Sequence, residues 1–423
     1  MTSLLRIFSL ELKSLVRSWT APMLLAGSLG WLFLAQRILV TDSTAEGYRA
    51  MVVRYGLGGV FALLVVSLLA TGTGAIASER EAKRLQLTQV RPVSAVTIAW
   101  GKFLAISLVG AVTLAVSCVT VALSSGFAGR SCNHVIRPTL ESPREEAERM
   151  YNFYMQDPDT PPQVKMARKS VVMRILEQRA KDNYQTVRTN ETASWSFPGL
   201  GKWIAAHRDV TPSVRFRFSN SFNMRDEVRG MIVTDGLVGS VSNITQTAIT
   251  IPLSTGGVAG DKDVLTFTNS GKSAVMLRPR QDIELLTPAD SFEWNVFRAF
   301  VVMASMLSLV IAIGIFLGAG LSRPVALFSA IVLLAVSEMS PSVVEQYPDQ
   351  LESDRIDSIG LAIARATERC TKSVSSLSPL SLVADDDCVE MRDVVGTFVL
   401  NFALLPLLLS ALSAFLIHRK QEI

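Results

Sequence analysis

Apolar residues fall along this chain in two rhythms, and the switch between them divides it. Crossing the hydrocarbon core of a bilayer takes roughly 20 mostly apolar residues. Six segments qualify: Thr20–Val40, Met51–Ala77, Phe103–Ala128, Phe297–Leu321, Pro324–Pro341 and Val394–Ile417. The fifth is the shortest, and reads either as a span with little tilt or as a partly re-entrant segment. Ahead of the first run, over residues 1–19, Leu4, Leu5, Phe8, Leu12, Leu15, Val16 and Trp19 recur at helical spacing, with Arg6, Ser9, Lys13 and Arg17 on the opposite face. That pattern predicts an amphipathic helix lying along the membrane surface. A cleaved leader is the competing reading; no small-x-small site follows the apolar run, so the segment is expected to stay attached.

Between the third and fourth spans the rhythm changes. Residues 129–295 are long enough for a domain with its own core. Residues 143–185 have helical periodicity, broken at Asp157-Pro-Asp-Thr-Pro-Pro162, which predicts two helices and a turn. From Ser194 to residue 290 the period is two. Val214, Phe216 and Phe218 alternate with Arg215 and Arg217, and the pattern returns at Ile249/Ile251/Leu253, Leu265/Phe267, Val275/Leu277 and Ile283/Leu285. Short strands between Gly, Asn and Asp turns read as an antiparallel β-sandwich. The expected fold is therefore a membrane α-helical protein of six transmembrane helices with an extracytoplasmic α+β domain containing that sandwich.

Charge sets the orientation. Arg6, Lys13 and Arg17, then Arg80, Lys83, Arg84, Arg91 and Lys102, then Arg323, then Arg419 and Lys420 fall on one side, whereas residues 342–393 hold Asp349, Glu352, Asp354, Asp357 and Asp385–Asp387. The positive-inside rule puts both termini in the cytoplasm of a multi-pass cell membrane protein, with residues 129–295 and 342–393 outside. Charged residues make up 18% of the chain, below the roughly 25% usual in soluble proteins, and the net charge of +4 gives no reason to expect nucleic acid.

Candidate chemistry is sparse. Four cysteines without a CxxC pair and three scattered histidines argue against a zinc or iron–sulfur site. Cys370 and Cys388 share an oxidising compartment on this topology, so a bridge between them is favoured over free thiols; Cys132 is then left over, or partners either one, and Cys118 sits within a span. Gly271-Lys272-Ser273 ends like a P-loop, but Thr266 stands where the first glycine belongs, and the tripeptide reads as a β-turn. Asn190 and Asn243 open glycosylation sequons. Glu338, in the fifth span, is either an intramembrane functional acid or a wetted helix end, the latter preferred; Asn401 in the last span suits an interhelical hydrogen bond. His207 and Asp209 lie close together with no activated nucleophile nearby, and nothing supports catalysis in this chain.

One charged stretch between spans two and three carries more. Residues 79–104 hold Glu79, Arg80 and Glu81, then Lys83, Arg84, Leu85 and Leu87, a break at Arg91-Pro92, then Val93-Ser94, Gly101-Lys102 and Leu104. Glu79 and Lys83 have ion-pair spacing on a helix, and proline suits a helix restart. An ordinary solvated basic loop is the plain reading. The order of residues resembles the inner loop of ABC-2 type permeases, the transmembrane subunits of ATP-binding-cassette transporters: Glu-Arg-Glu, Leu85, Pro92-Val93-Ser94, Gly101-Lys102, Leu104, with Lys83-Arg84 in place of that family's Gly-Thr. The likeness covers residues 1–128 and 297–423, and the outer insertion is like that of a branch with a large extracytoplasmic domain.

The resemblance implies a mechanism. A separate cytoplasmic ATPase, in two copies, would bind ATP and Mg. The helix around Glu79–Val90, including Pro92 at its far break, would dock in a groove of that ATPase, with Glu81 and Arg84 facing it. A second permease chain, identical or related, would complete the pathway in the lipid bilayer. Two further readings stay open: a mechanotransmitting subunit that drives an extracytoplasmic partner without transport, and a membrane-anchored receptor whose β-sandwich binds a ligand.

Overall fold

The computed structural model describes residues 2–39, 45–82, 94–125, 130–140, 142–158, 165, 167–181, 185–207, 211–219, 227–234, 237–244, 248–255, 263–346 and 379–419. It contains two compact units, one of Met1–Cys132 with Asp290–Ile423 and one of Asn133–Ala289. In chain order the helices are α1 (Thr2–Arg17), α2 (Thr20–Ile38), α3 (Ala45–Met51, a π turn Val52–Leu57, then Gly58–Glu81) and α4 (Ala95–Ser125). The second unit holds α5 (Pro143–Gln156), α6 (Lys169–Lys181) and α7 (Leu200–Ala206). The first unit resumes with α8 (Phe292–Gly320), α9 (Arg323–Gln346), α10 (Pro379–Ala384) and α11 (Met391–Phe398, a second π turn Val399–Leu404, then Leu405–Arg419).

Four of these helices are long and apolar enough to cross a membrane: Gly47–Glu81, Ala95–Ser124, Phe292–Gly320 and Met391–Ile417. The chain is thus built as a membrane protein. A fifth crossing counts if α1 and α2 are taken as one broken span, bent by 57°. The bend falls at Trp19, whose φ of 64° is in the left-handed region that interrupts a helix. α9 is helical over Arg323–Gln346, and Arg323–Val336 within it is a shorter apolar helix.

Lipid gives helices little hydrophobic reason to associate, so close packing of small residues has to do it. α3 and α8 meet through glycine. A Cβ on Gly318 would lie 2.3 Å from the Thr73 carbonyl oxygen, one on Gly314 3.1 Å from the Leu69 oxygen, and one on Gly72 3.0 Å from the Ile311 oxygen. The contact is therefore backbone against backbone. Around it the buried Leu64, Leu68, Phe103, Ile106, Met306 and Ile311 fill the bundle core.

In the second unit, α5 begins at a capping box. Ser142 Oγ accepts from Glu145 N at 3.1 Å, and Glu145 Oε2 accepts from Ser142 N at 3.0 Å. These hydrogen bonds, the backbone one first, hold the Glu145 carboxyl below the usual carboxylate range. α5 and α6 pack through Ala147, Val172 and Leu176. The strands are β1 (Ser131–Ile136), β2 (Gln185–Val187), β3 (Thr192–Ser196), β4 (Ser213–Arg217), β5 (Glu227–Thr234), β6 (Leu237–Ile244), β7 (Ala248–Pro252), β8 (Ser254–Thr255), β9 (Val264–Asn269), β10 (Val275–Leu277) and β11 (Ile283–Ser291). They form a sheet ordered β1-β11-β4-β7, another ordered β3-β9-β5-β6-β8, and the pair β10-β2. Both larger sheets feed one core: Val214, Phe216 and Leu285 from the first, Trp195, Ile232 and Phe267 from the second. The alternating residues read from the sequence do point inward. Strands also occur earlier than Ser194, at β2 and β3, and β1 precedes the helical pair altogether. Gly271-Lys272-Ser273 lies between β9 and β10, where buried Asn269 accepts from Gly271 N at 2.9 Å and donates to Ser273 O at 3.0 Å.

The glycine contact is testable. Gly318→Val forces α3 and α8 apart and lowers the detergent melting temperature, whereas Gly396→Ala, in a helix with nothing within 4 Å of a new Cβ, leaves it unchanged or slightly raised by the lower chain entropy of alanine. A thermal scan of both purified variants checks this.

Candidate functional site

Lys102 stands two turns into α4 and is only 3% exposed. Its Nζ donates to Glu11 Oε2 of α1 and Glu79 Oε1 of α3, each at 2.8 Å. The neighbouring glycine makes this reachable: a Cβ on Gly101 would sit 2.8 Å from Ile7 Cγ2, so only glycine lets α1 lie against α4 here. Gly101-Lys102 therefore works as a unit, with glycine admitting the helix and lysine tying it down. A cation so enclosed is tolerated only because it is paired.

The two residues after Glu79 bind a different corner. The Arg80 guanidinium donates to Ala319 O at 2.7 Å and also to Leu321 O, carbonyls at the C-terminal end of α8 that have no intrahelical donor. The Glu81 carboxylate accepts from Arg323 N at 3.1 Å, where α9 begins. A cation on a helix C-terminus and an anion on a helix N-terminus both complement the helix dipoles. Glu79-Arg80-Glu81 thus joins α3 to α1, α4, α8 and α9.

All three residues also have partners within the chain. Glu79 and Arg80 are spent inside the chain, and Glu81, although exposed, is engaged with the start of α9. The reason is saturation of bare helix ends and of one buried ammonium. Lys83, Arg84, Leu85, Leu87 and Pro92 lie outside the described residues. Glu11 was missed: it belongs to neither the apolar nor the basic set of α1, and an acid between Phe8, Leu12 and Leu15 was the available signal. Glu338 falls within α9. Asn401 is fully buried in the second π turn.

At the opposite end of the bundle a second cluster holds. Cys388 is bonded to Cys132, not to Cys370, which lies outside the described residues. The reason is proximity imposed by neighbours. Buried Asn295, at the start of α8, brackets Cys388: its Nδ2 donates to Asp387 O at 2.8 Å and its Oδ1 accepts from Val389 N at 2.7 Å. Phe292 N donates to Arg130 O at 2.9 Å, and Arg130 pairs with Asp386 at 3.7 Å. Arg54 of the first π turn pairs with Asp385 at 2.9 Å. Residues 130–132, the start of α8, and the segment ahead of α11 are thereby one knot. Cys118 is free and buried.

No protein-family model, curated protein or solved structure matches the chain.

Two outcomes follow. Lys102→Met leaves Glu11 and Glu79 facing each other without their cation, costing about 3–5 kcal/mol and lowering the melting temperature; adding Glu11→Gln and Glu79→Gln restores most of the loss. Peptide mapping under non-reducing conditions recovers the Cys132–Cys388 crosslink in wild type and in Cys370→Ser, and loses it in Cys132→Ser and in Cys388→Ser.

Proposed function

We propose that this chain is the membrane-spanning permease subunit of an ATP-binding-cassette transporter of the ABC-2 type, coupling ATP hydrolysis by a separate cytoplasmic ATPase to export or extraction of a substrate. One observation carries the reading. The charged stretch 83–93 follows directly in sequence on Glu79–Glu81, which together with Lys102 tie α1, α3, α4, α8 and α9 into one corner. A force applied to 83–93 therefore reaches α1, α3, α4, α8 and α9 together.

On this reading α1 lies along the cytoplasmic surface, six segments cross the membrane with both termini inside, and the strand-rich unit is an extracytoplasmic β-sandwich. ATP and Mg sit in the partner ATPase, which is present in two copies. A second permease chain completes the pathway. ATP binding then biases two packings of the spans against each other. The glycine contact between α3 and α8 keeps those two helices as one body while others move.

The knot around Cys132–Cys388 favours a second use of the same motion. It fixes residue 132 and the start of α8, between which the strand-rich unit is inserted, to the segment ahead of α11. Displacement of the spans would pull on both roots of that unit, as a mechanotransmitting subunit acting on an extracytoplasmic partner requires.

Arg84→Glu tests the docking. The variant inserts and folds normally, but co-purifies with its cognate ATPase at roughly tenfold lower yield, the scale of one lost charged contact at an interface. Undiminished yield with normal ATPase stimulation would sink the proposal. Stimulation of hydrolysis by an added substrate would favour transport over mechanical relay.

A further inference from the structure

We propose that an anionic phospholipid docks one acyl chain in a groove between α1, α4, α8 and α11, its headgroup held by the exposed basic side chains of α1. The groove has a volume of about 450 Å³, with Leu104 and Ala111 of α4, Phe300 and Ser308 of α8, and Phe398 and Phe402 of α11 among its walls. Leu4, Leu5 and Phe8 of α1 line it as well. α1 crosses α4 at Gly101, less than one turn before Leu104, so it lies at one end of the groove.

Depth, opening and charge all suit a lipid. The walls run seven residues from Leu104 to Ala111 and eight from Phe300 to Ser308, about 10–12 Å at 1.5 Å per residue. One leaflet's share of the hydrocarbon core is roughly 15 Å. Leu5, Leu108 and Phe398 on the rim are 57%, 42% and 43% exposed, so the groove opens sideways into the region that acyl chains fill. Arg6, Lys13 and Arg17 are exposed on α1, while its single acid, Glu11, is taken up by Lys102. The helix at the mouth therefore offers only positive charge, which attracts anionic headgroups. A second copy of the chain would bring an equally basic α1 to the same rim, and like charges disfavour that occupant.

The inference needs a bilayer and no ATPase, so it stands or falls separately from the transporter reading. The full chain is reconstituted in nanodiscs of phosphatidylglycerol or of phosphatidylcholine, each doped with the same lipid carrying a diazirine in its acyl chain. With phosphatidylglycerol, photolabel concentrates on the peptides containing Leu104–Ala111 and Phe300–Ser308, well above its level with phosphatidylcholine. Arg6→Gln and Lys13→Gln each lower that excess roughly fivefold, the effect expected of one basic residue near a charged membrane surface. Ala304→Phe removes groove labelling but spares peptides around exposed Leu123 and Phe328. Even labelling of all lipid-facing helices, equal labelling by both lipids, or groove residues crosslinked to a second copy of the chain would each overturn the proposal. The glutamine variants change exposed side chains only and keep the test decisive if Ala304→Phe does not fold.

Discussion

An ammonium group walled off from water has to be neutralised where it sits, and in this molecule that need falls on Lys102. Its two carboxylate partners come from helices far apart in sequence, Glu11 from α1 and Glu79 from α3. The interaction therefore decides more than local stability. It sets the rotation of α1, because only one face of that helix carries Glu11 and Ile7 together. It also sets where α3 may end. Removing Lys102 leaves two carboxylates without their cation, which costs far more than the intact group gains over an apolar replacement.

The rest of that corner follows from helix ends. The turn between α8 and α9 exposes carbonyls on one side and N–H groups on the other, and Arg80 and Glu81 meet them in that order. Adjacent residues of opposite charge at the end of one helix thus close a break between two others. The bundle is held by a different material at each level: ion pairs at this corner, backbone contact through Gly72, Gly314 and Gly318 in the middle, and a covalent bridge with an amide bracket at the far end.

Much of the architecture could be read from spacing. Val214, Phe216 and Phe218 alternate because strand side chains do, and they are buried. The long apolar runs mark α3, α4, α8 and α11 because a crossing has a fixed length. β1 was not legible: Ser-Cys-Asn-His-Val-Ile has no clean alternation, and its place depends on β11, which comes only at the end of the second unit. The kink at Trp19 was hidden too, since an aromatic residue in the left-handed region carries no sequence signature. Within the site, Glu79-Arg80-Glu81 and Gly101-Lys102 stood out as a motif, but their roles did not. The carbonyls met by Arg80 are main-chain atoms, which no residue code announces. Cysteine pairing was open for the reason it always is: spacing does not fix connectivity.

The bridge between Cys132 and Cys388 spans 256 positions, and that interval has a temporal side. Synthesis proceeds from the N-terminus at about 5–20 residues per second, so Cys132 exists as a lone thiol for tens of seconds before its mate is made. Cys370 is translated 18 residues before Cys388, about 1–4 s earlier at that rate, so it could compete for Cys132 only at the end of that interval. Maturation of the chain therefore includes an oxidation step that must wait until Cys388 has been made, and a thiol–disulfide isomerase becomes useful whenever the earlier cysteine wins the race.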